Sequence, residues 1–346
     1  MKASELVRSA VASMAGYVPG EQPADAGLVK LNTNENPYPP SALVVEAISR
    51  EAAGAMERYP SPDARFLRET AAAQYGVNPS QVLAANGSDE VLSILLRACI
   101  EPGDVVAFAE PTYSLYRTLC SIAGARVHVT SCGPGVFPGP PFGEDARLTF
   151  VCNPNSPYGT EVSLDAIRSV CERTAGVVVA DEAYVDFGGT SALSLLPDHP
   201  NLVVSRSFSK SFSLAGLRLG LAFASADLVS ELVKVKDSYN VSRLAAAAGT
   251  SALKDYQHME SNVGRICTSR DRIAEELRQR GWHVPRSAAN FLWGVPPSGG
   301  GRTTYQKLRE RGVLVRFFDT DDLRDGLRIS IGTDEQMERF LTALDQ

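Results

Sequence analysis

The chain has 346 residues, 44% of them hydrophobic and 21% charged, and a formal net charge of −6. That length is ample for one large or two medium domains with a substantial core. The acidic balance, the absence of a basic run and the lack of any apolar stretch near the ~18 residues of a membrane span argue against nucleic-acid and membrane partners.

The opening MKASELVRSAVASMAGY has no long apolar region and reads as an amphipathic arm, not a signal peptide. Short apolar, β-branched runs then alternate with helical periods. Strands are expected at 81–85, 104–109, 125–129, 147–152, 176–181, 201–206 and 218–224, with helices at 88–99, 113–123, 163–174 (capped by Ser163) and 227–239. Short runs apolar on both faces and separated by helices predict a largely parallel α/β sheet covered on both sides. Ligands of such sheets bind at the strands' C-terminal edges. After about residue 240 a long helical stretch, 243–280, leads into GVLVRFF (312–318), LRISIG (327–332) and a terminal helix, an α+β pattern. The expected division is an arm over 1–35, a large domain over 36–240 and a small domain over 241–346. Six cysteines without a CxxC pair suit reduced thiols in a cytoplasmic enzyme. The four histidines are too dispersed for a metal site.

Four loops at strand ends carry the chemistry. In NGSDE (86–90), Gly87 and Ser88 open a helix whose free amides favour an anion, although a plain Ser/Asp cap reads the same way. CNPNSPYGT (152–160) is a rigid turn. In VVVADEAY (177–184), Asp181 and Glu182 end an apolar strand and point to opposite faces, so one carboxylate at most faces a given pocket. In SFSKSFSLAGLRLG (207–220), Lys210 is one of only seven lysines and sits among serines and phenylalanines. A desolvated lysine has a depressed pKa, and its neutral amine condenses with an aldehyde. Arg218 and the serine hydroxyls suit a phosphate monoester. An aldehyde, a phosphate and an aromatic nitrogen paired with an aspartate describe pyridoxal 5′-phosphate. Farther on, Arg316 shares a strand face with Leu314 and Phe318, and a guanidinium in that setting needs an anion or a salt bridge.

In order along the chain, LNTNENPYPP (31–40), RYP (58–60), NGSDE, PTYSLY (111–116), NPNSPYGT, DEAY, SFSKSFSLAGLRLG and LRISIGT (327–333) resemble fold-type-I pyridoxal-phosphate aminotransferases. Within them they resemble the histidinol-phosphate aminotransferase family. The resemblance implies a mostly parallel seven-stranded sheet in a large domain plus a smaller α+β C-terminal domain. It implies amino transfer from L-histidinol phosphate to 2-oxoglutarate, with aromatic aminotransferases and threonine-phosphate-type decarboxylases as similar alternatives. Lys210 is similar to the lysine that holds the cofactor and shuttles a proton, Asp181 to the aspartate on the pyridine nitrogen, and Tyr184 to the tyrosine on the phenolic oxygen. Ser88, Asp89, Ser207, Ser209 and Arg218 fall where the family binds the phosphate, and Tyr113 where a ring stacks on the pyridine. Tyr59 resembles a tyrosine given by a second subunit, which implies a homodimer. Arg328 matches the carboxylate clamp. Arg316, with Tyr17 and Asn36, falls on the substrate side. Asn155-Ser156-Pro157-Tyr158-Gly159 departs from the common Asn-Asn-Pro-Thr-Gly turn, so Ser156 has a shorter reach to the cofactor.

Overall fold

The apolar runs assemble into two sheets in the computed structural model, which describes residues 6–14, 16, 20–23, 27–54, 56–138, 143–297 and 299–346. In chain order the strands are β1 (Val29–Leu31), β2 (Val82–Ala85), β3 (Val105–Glu110), β4 (Arg126–Ser131), β5 (Leu148–Cys152), β6 (Val177–Asp181), β7 (Leu202–Ser207), β8 (Gly220–Phe223), β9 (Phe291–Gly294), β10 (Val313–Phe317) and β11 (Leu327–Ser330). The larger sheet runs β2-β8-β7-β6-β5-β3-β4. Its strands are parallel except β8, which lies antiparallel between β2 and β7. The central strands are buried along both faces, as their unbroken apolar runs require.

Alternation along β6 divides the core of this sheet. Val178 and Ala180 pack with the helices Arg65–Tyr75, Leu164–Arg173 and Arg243–Lys254, whereas Val179 packs with Gly87–Cys99 and Leu115–Ala123. The smaller sheet runs β1-β10-β11-β9. Its core joins Val313 and Ile329 to Leu277 of the helix Tyr256–Gln279 and Phe340 of Asp334–Asp345. No helix among the described residues is long and apolar enough to cross a membrane.

Several elements differ from the sequence reading. Val29–Leu31, within the expected arm, pairs in parallel with β10, and Phe291–Gly294 adds an unforeseen strand beside β11. The 243–280 stretch is two helices broken at Asp255, whose carboxylate accepts from the Ser41 hydroxyl far away in sequence. The helix expected to reach 239 stops at Val233. Beyond it, Lys236 Nζ donates to the carbonyls of Pro62, Asp237 and Ser238, contacts that hold the segment in a loop. Arg218 lies outside the strand expected to contain it. It closes a 3₁₀ turn in the left-handed region at φ 50°, which aims its side chain at the helix beginning at Gly87.

Candidate active site

The C-terminal ends of β3, β5, β6 and β7 open onto a cavity of about 720 Å³, closed on its far side by residues 32–35 and by the arginines of β10 and β11. Lys210, Asp181, Tyr184, Ser88, Asp89, Tyr113, Ser156, Ser207, Ser209, Arg218, Arg316 and Arg328 all line it. Two of the described residues expected at the site, Asn36 and Tyr59, do not. Asn36 uses its amide to donate to the carbonyls of Lys210 at 3.0 Å and Ser211 at 3.2 Å, so it holds the lysine's loop instead of facing the cavity. Tyr59 is 77% exposed and stacks on Tyr239 with ring centroids 4.5 Å apart. Tyr17 lies outside the described residues.

The carboxylate question is settled by register. Asp181 ends β6 buried, and its Oδ2 accepts from the fully buried Tyr116 hydroxyl at 2.6 Å. Its Oδ1 is also buried and, among the described residues, has no hydrogen-bond partner. Burial pushes the carboxyl up to about 6; Tyr116 and the Ala183 amide oppose the rise, while the charges of Asp89 and Glu182 add to it. Across the cavity, burial lowers Lys210 to about 8, helped by the positive charges of Arg328 and Arg218 and opposed by Glu35 and Asp89. Its Nζ lies 5.7 Å from the centre of the Tyr184 ring. The Tyr184 hydroxyl accepts from Asn34 Nδ2 at 3.1 Å. Burial raises this phenol to about 12, against the pull of Arg328 and the Asn34 hydrogen bond.

Opposite this trio is an anion cradle. A Cβ on Gly220 would lie 2.5 Å from the carbonyl carbon of Gly87 and 2.6 Å from the Ser88 amide nitrogen, so only glycine lets β8 pass so close to the helix start. Gly87 itself adopts φ +80°, and a Cβ there would meet the Arg218 guanidinium at 2.8 Å. Arg218 donates to Ser209 Oγ at 3.2 Å and to Asp89 Oδ2 at 3.0 Å, and Tyr113 donates to Asp89 Oδ1 at 3.1 Å. Ser207 Oγ accepts from the Ser209 amide at 3.1 Å. The Asp89 carboxylate is therefore engaged by one guanidinium and one phenol, which leaves its backbone amide as the group suited to an anion. Open amides, hydroxyls and a guanidinium beside a lysine and an unmet carboxylate oxygen fit the phosphate, aldehyde and ring nitrogen of pyridoxal 5′-phosphate.

On the wall formed by the smaller sheet, Arg316 and Arg328 are direct cross-strand partners of β10 and β11. Their guanidinium carbons lie 5.1 and 5.5 Å from the centre of the Phe318 ring. Arg328 also donates to Ser156 Oγ at 3.0 Å and to the Asn32 carbonyl at 3.1 Å. The pair concentrates positive charge on this wall of the cavity. The Ser156 hydroxyl serves this arginine. Tyr158, the other departure in the turn, is buried edge-on against Trp293 at 5.5 Å and does not line the cavity.

Two residues of the site went unread in the sequence. Tyr116 follows Tyr113 by three positions, and its ring meets the Tyr113 ring edge-on with centroids 5.8 Å apart. Asn34, buried at φ 56°, binds Tyr184 through its side chain, Ser330 through its amide and Asn290 through its carbonyl.

The raised carboxyl has a consequence for stability. As pH rises from about 4 to about 6 the unfolded chain loses the Asp181 proton before the folded one does, so folding weakens. Above pH 6 the buried charge costs on the order of 3 kcal/mol. Cofactor-free Asp181→Asn should therefore melt a few degrees above wild type at neutral pH and converge with it near pH 4. Parallel melting curves across this range would contradict the burial argument.

Comparison with known proteins agrees with this geometry. Residues 26–344 match the family model for aminotransferase class I and II. The chain is 47% identical to the histidinol-phosphate aminotransferase of Citrifermentans bemidjiense over 340 residues, which is 98% of this chain and 97% of that protein. It is 43% identical to histidinol-phosphate aminotransferase 1 of a Nostoc species, over 97% of this chain and 96% of that one. Among solved structures, histidinol-phosphate aminotransferase from Sinorhizobium meliloti in complex with pyridoxal-5′-phosphate superposes with a TM-score of 0.83 at 25% identity, covering 91% of this chain and 89% of that one. With the family matched over nearly its whole length and the cavity built from the family's motifs, the chain belongs to the class I and II aminotransferases.

Proposed function

We propose that the protein is a pyridoxal 5′-phosphate-dependent transaminase that converts L-histidinol phosphate and 2-oxoglutarate to imidazole-acetol phosphate and L-glutamate, a step of histidine biosynthesis. The observation that carries the substrate reading is the facing pair Arg316 and Arg328 in the cavity that contains Lys210 and Asp181. A transaminase takes two unlike partners in one pocket. Histidinol phosphate bears a phosphate and no carboxylate, and glutamate bears two carboxylates. The charge of Arg328 acts on Lys210, which supports reading this arginine as the one nearer the reacting carbon.

Bound pyridoxal phosphate supplies an electron-withdrawing ring that acidifies the amino-bearing carbon of the substrate. Lys210 Nζ, partly neutral at working pH, would hold the cofactor's aldehyde carbon at rest; once the substrate amine displaces it, the freed amine would move the proton from that substrate carbon to the former aldehyde carbon. Asp181 Oδ1 accepts from the protonated ring nitrogen while Tyr116 fixes the carboxylate. The Tyr184 hydroxyl, oriented by Asn34, meets the phenolic oxygen, and Tyr113 packs beside the ring. Ser207, Ser209, Arg218 and the amides of Ser88 and Asp89 hold the phosphate.

The working unit in this reading is a homodimer. Leu43 and Phe66, 48% and 75% exposed, stand on two helices that pack against Arg243–Lys254, and Met56 and Tyr59 lie between them in the chain at 53% and 77%. So much uncovered apolar surface suits a second copy of this chain, to whose cavity Tyr59 would contribute. Six free cysteines accord with a reducing cytoplasm.

Sedimentation equilibrium should give a mass near twice the 37.1 kDa of the chain; a monomer at micromolar concentration would contradict the shared site. In a coupled assay for glutamate, Arg316→Ala should lower kcat/KM for histidinol phosphate by roughly 30- to 5000-fold, the range for a buried charge left unpaired. The same variant should leave phenylalanine, which has no distal anion, little changed. Arg328→Ala should impair every partner that bears a carboxylate. A wild type that prefers phenylalanine or tyrosine, or that releases carbon dioxide from a phosphorylated amino acid, would contradict the reading.

A further inference from the structure

On the face of the large sheet turned away from the cavity lies a set of charges that the chemistry above leaves unused. Asp181 and its neighbour Glu182 point to opposite faces, so Glu182 enters the core on the far side and is only 1% exposed. It meets Arg206, itself 6% exposed, which donates to Glu182 Oε2 at 3.1 Å through Nη1 and to Asp186 Oδ1 through Nη2. Glu182 is otherwise filled by the Ser191 hydroxyl at 2.7 Å and the Ala192 amide at 2.5 Å. The second oxygen of Asp186 accepts from Ser211 Oγ at 2.5 Å. Ser211 is the residue after Lys210. The guanidinium carbon of Arg206 lies 5.2 Å from the centre of the Tyr75 ring.

A continuous path thus leads from Asp181 through the backbone to Glu182, across Arg206 and Asp186 to Ser211, and through the backbone to Lys210. Burying an ion pair is a poor way to gain stability, since apolar residues of similar volume commonly do as well. What the planar fork of a guanidinium supplies is direction: it fixes two carboxylates relative to one another in a way a single ammonium cannot. Lys210 needs such a device. Its Nζ makes a long hydrogen bond, 3.3 Å, to the Thr33 carbonyl, so placement of the amine falls to the backbone that carries it. The loop beyond the lysine passes through the left-handed region at Ser213, φ 61°. Asn36 grips the carbonyls of Lys210 and Ser211, and the ion network holds Ser211 through its hydroxyl.

We propose that Arg206 is a positioning residue: its forked pairing with Glu182 and Asp186, passed on by Ser211, sets the distance and direction of Lys210 relative to Asp181. The proposal rests on the reading of Lys210 and Asp181 as the cofactor's partners. Its test compares wild type, Ser211→Ala and Arg206→Lys, each loaded with pyridoxal 5′-phosphate. Ser211→Ala cuts the last link and leaves the ion pairs whole. Arg206→Lys keeps the charge but loses the fork.

Visible circular dichroism of the bound cofactor reports how the ring sits in its asymmetric site, and a modest loss of stability does not move it. Thermal unfolding is recorded alongside. Ser211→Ala should bind cofactor in wild-type stoichiometry yet change the visible dichroic band. Its kcat should fall about ten- to a hundredfold, the scale for small misplacement of a reacting group, while KM for both partners stays within about twofold. Arg206→Lys should show the same pattern, and it carries the test alone if Ser211→Ala does not fold. An unaltered dichroic band and kcat in Ser211→Ala, or an Arg206→Lys protein indistinguishable from wild type, would overturn the assignment. A loaded wild type without a visible band would overturn the cofactor reading beneath it, an outcome distinct from either.

Discussion

At the end of β6 the Asp181 carboxylate is held out of water by the sheet, with one oxygen bound by the Tyr116 hydroxyl and the other unmet. An unsatisfied buried acceptor is costly, and its persistence marks a place where the fold is completed by a ligand. The rest of the cavity is organised around that oxygen. Lys210 arrives from the next strand over, and the cradle at Gly87, Ser88 and Arg218 from the strand-to-helix turn beyond it. The two distal arginines come from a separate sheet. Their charges line the far wall beside Glu35, while Asp89 and Asp181 lie at the strand ends.

The two sheets are joined by the segment after β1. Asn34 reaches Tyr184, just past β6 of the larger sheet, and Ser330 and Asn290 beside the smaller one, and Asn36 reaches the backbone of Lys210. A short left-handed turn, adopted by an asparagine because that residue tolerates it, thus sets both walls of the cavity at once. The polar residues that do this are buried and bonded, in keeping with the rule that interior polar groups find partners.

Much of this was legible in the sequence, for identifiable reasons. The runs at β5, β6 and β7 are apolar on both faces, which only a sheet covered on both sides explains, and the sheet is as expected. The loops with unusual chemistry lay at strand ends, and the cavity gathered nearly all of the residues they offered. The losses have physical causes. β1 and β9 are too short, at three and four residues, to show a period. The break at Asp255 depends on Ser41, 214 positions away, and no local pattern encodes it. Arg218 sits in LRLGLAFA, which reads as strand until the left-handed turn is seen. Alternation required Asp181 and Glu182 to part, but which of them faced the cavity was set by what lay on each face: Tyr116 on one side, Arg206 on the other. Asn36 carried the right composition for substrate contact and performs a backbone task.

The central claim is that Asp181 Oδ1 keeps the ring nitrogen of the cofactor protonated. The most direct measurement is the nitrogen NMR shift of pyridoxal phosphate labelled at that atom, bound to wild type and to Asp181→Asn at mildly alkaline pH. The account predicts the shift of a protonated ring nitrogen in wild type and of an unprotonated one in the variant. An unprotonated nitrogen in wild type, or a protonated one that survives the substitution, would contradict it.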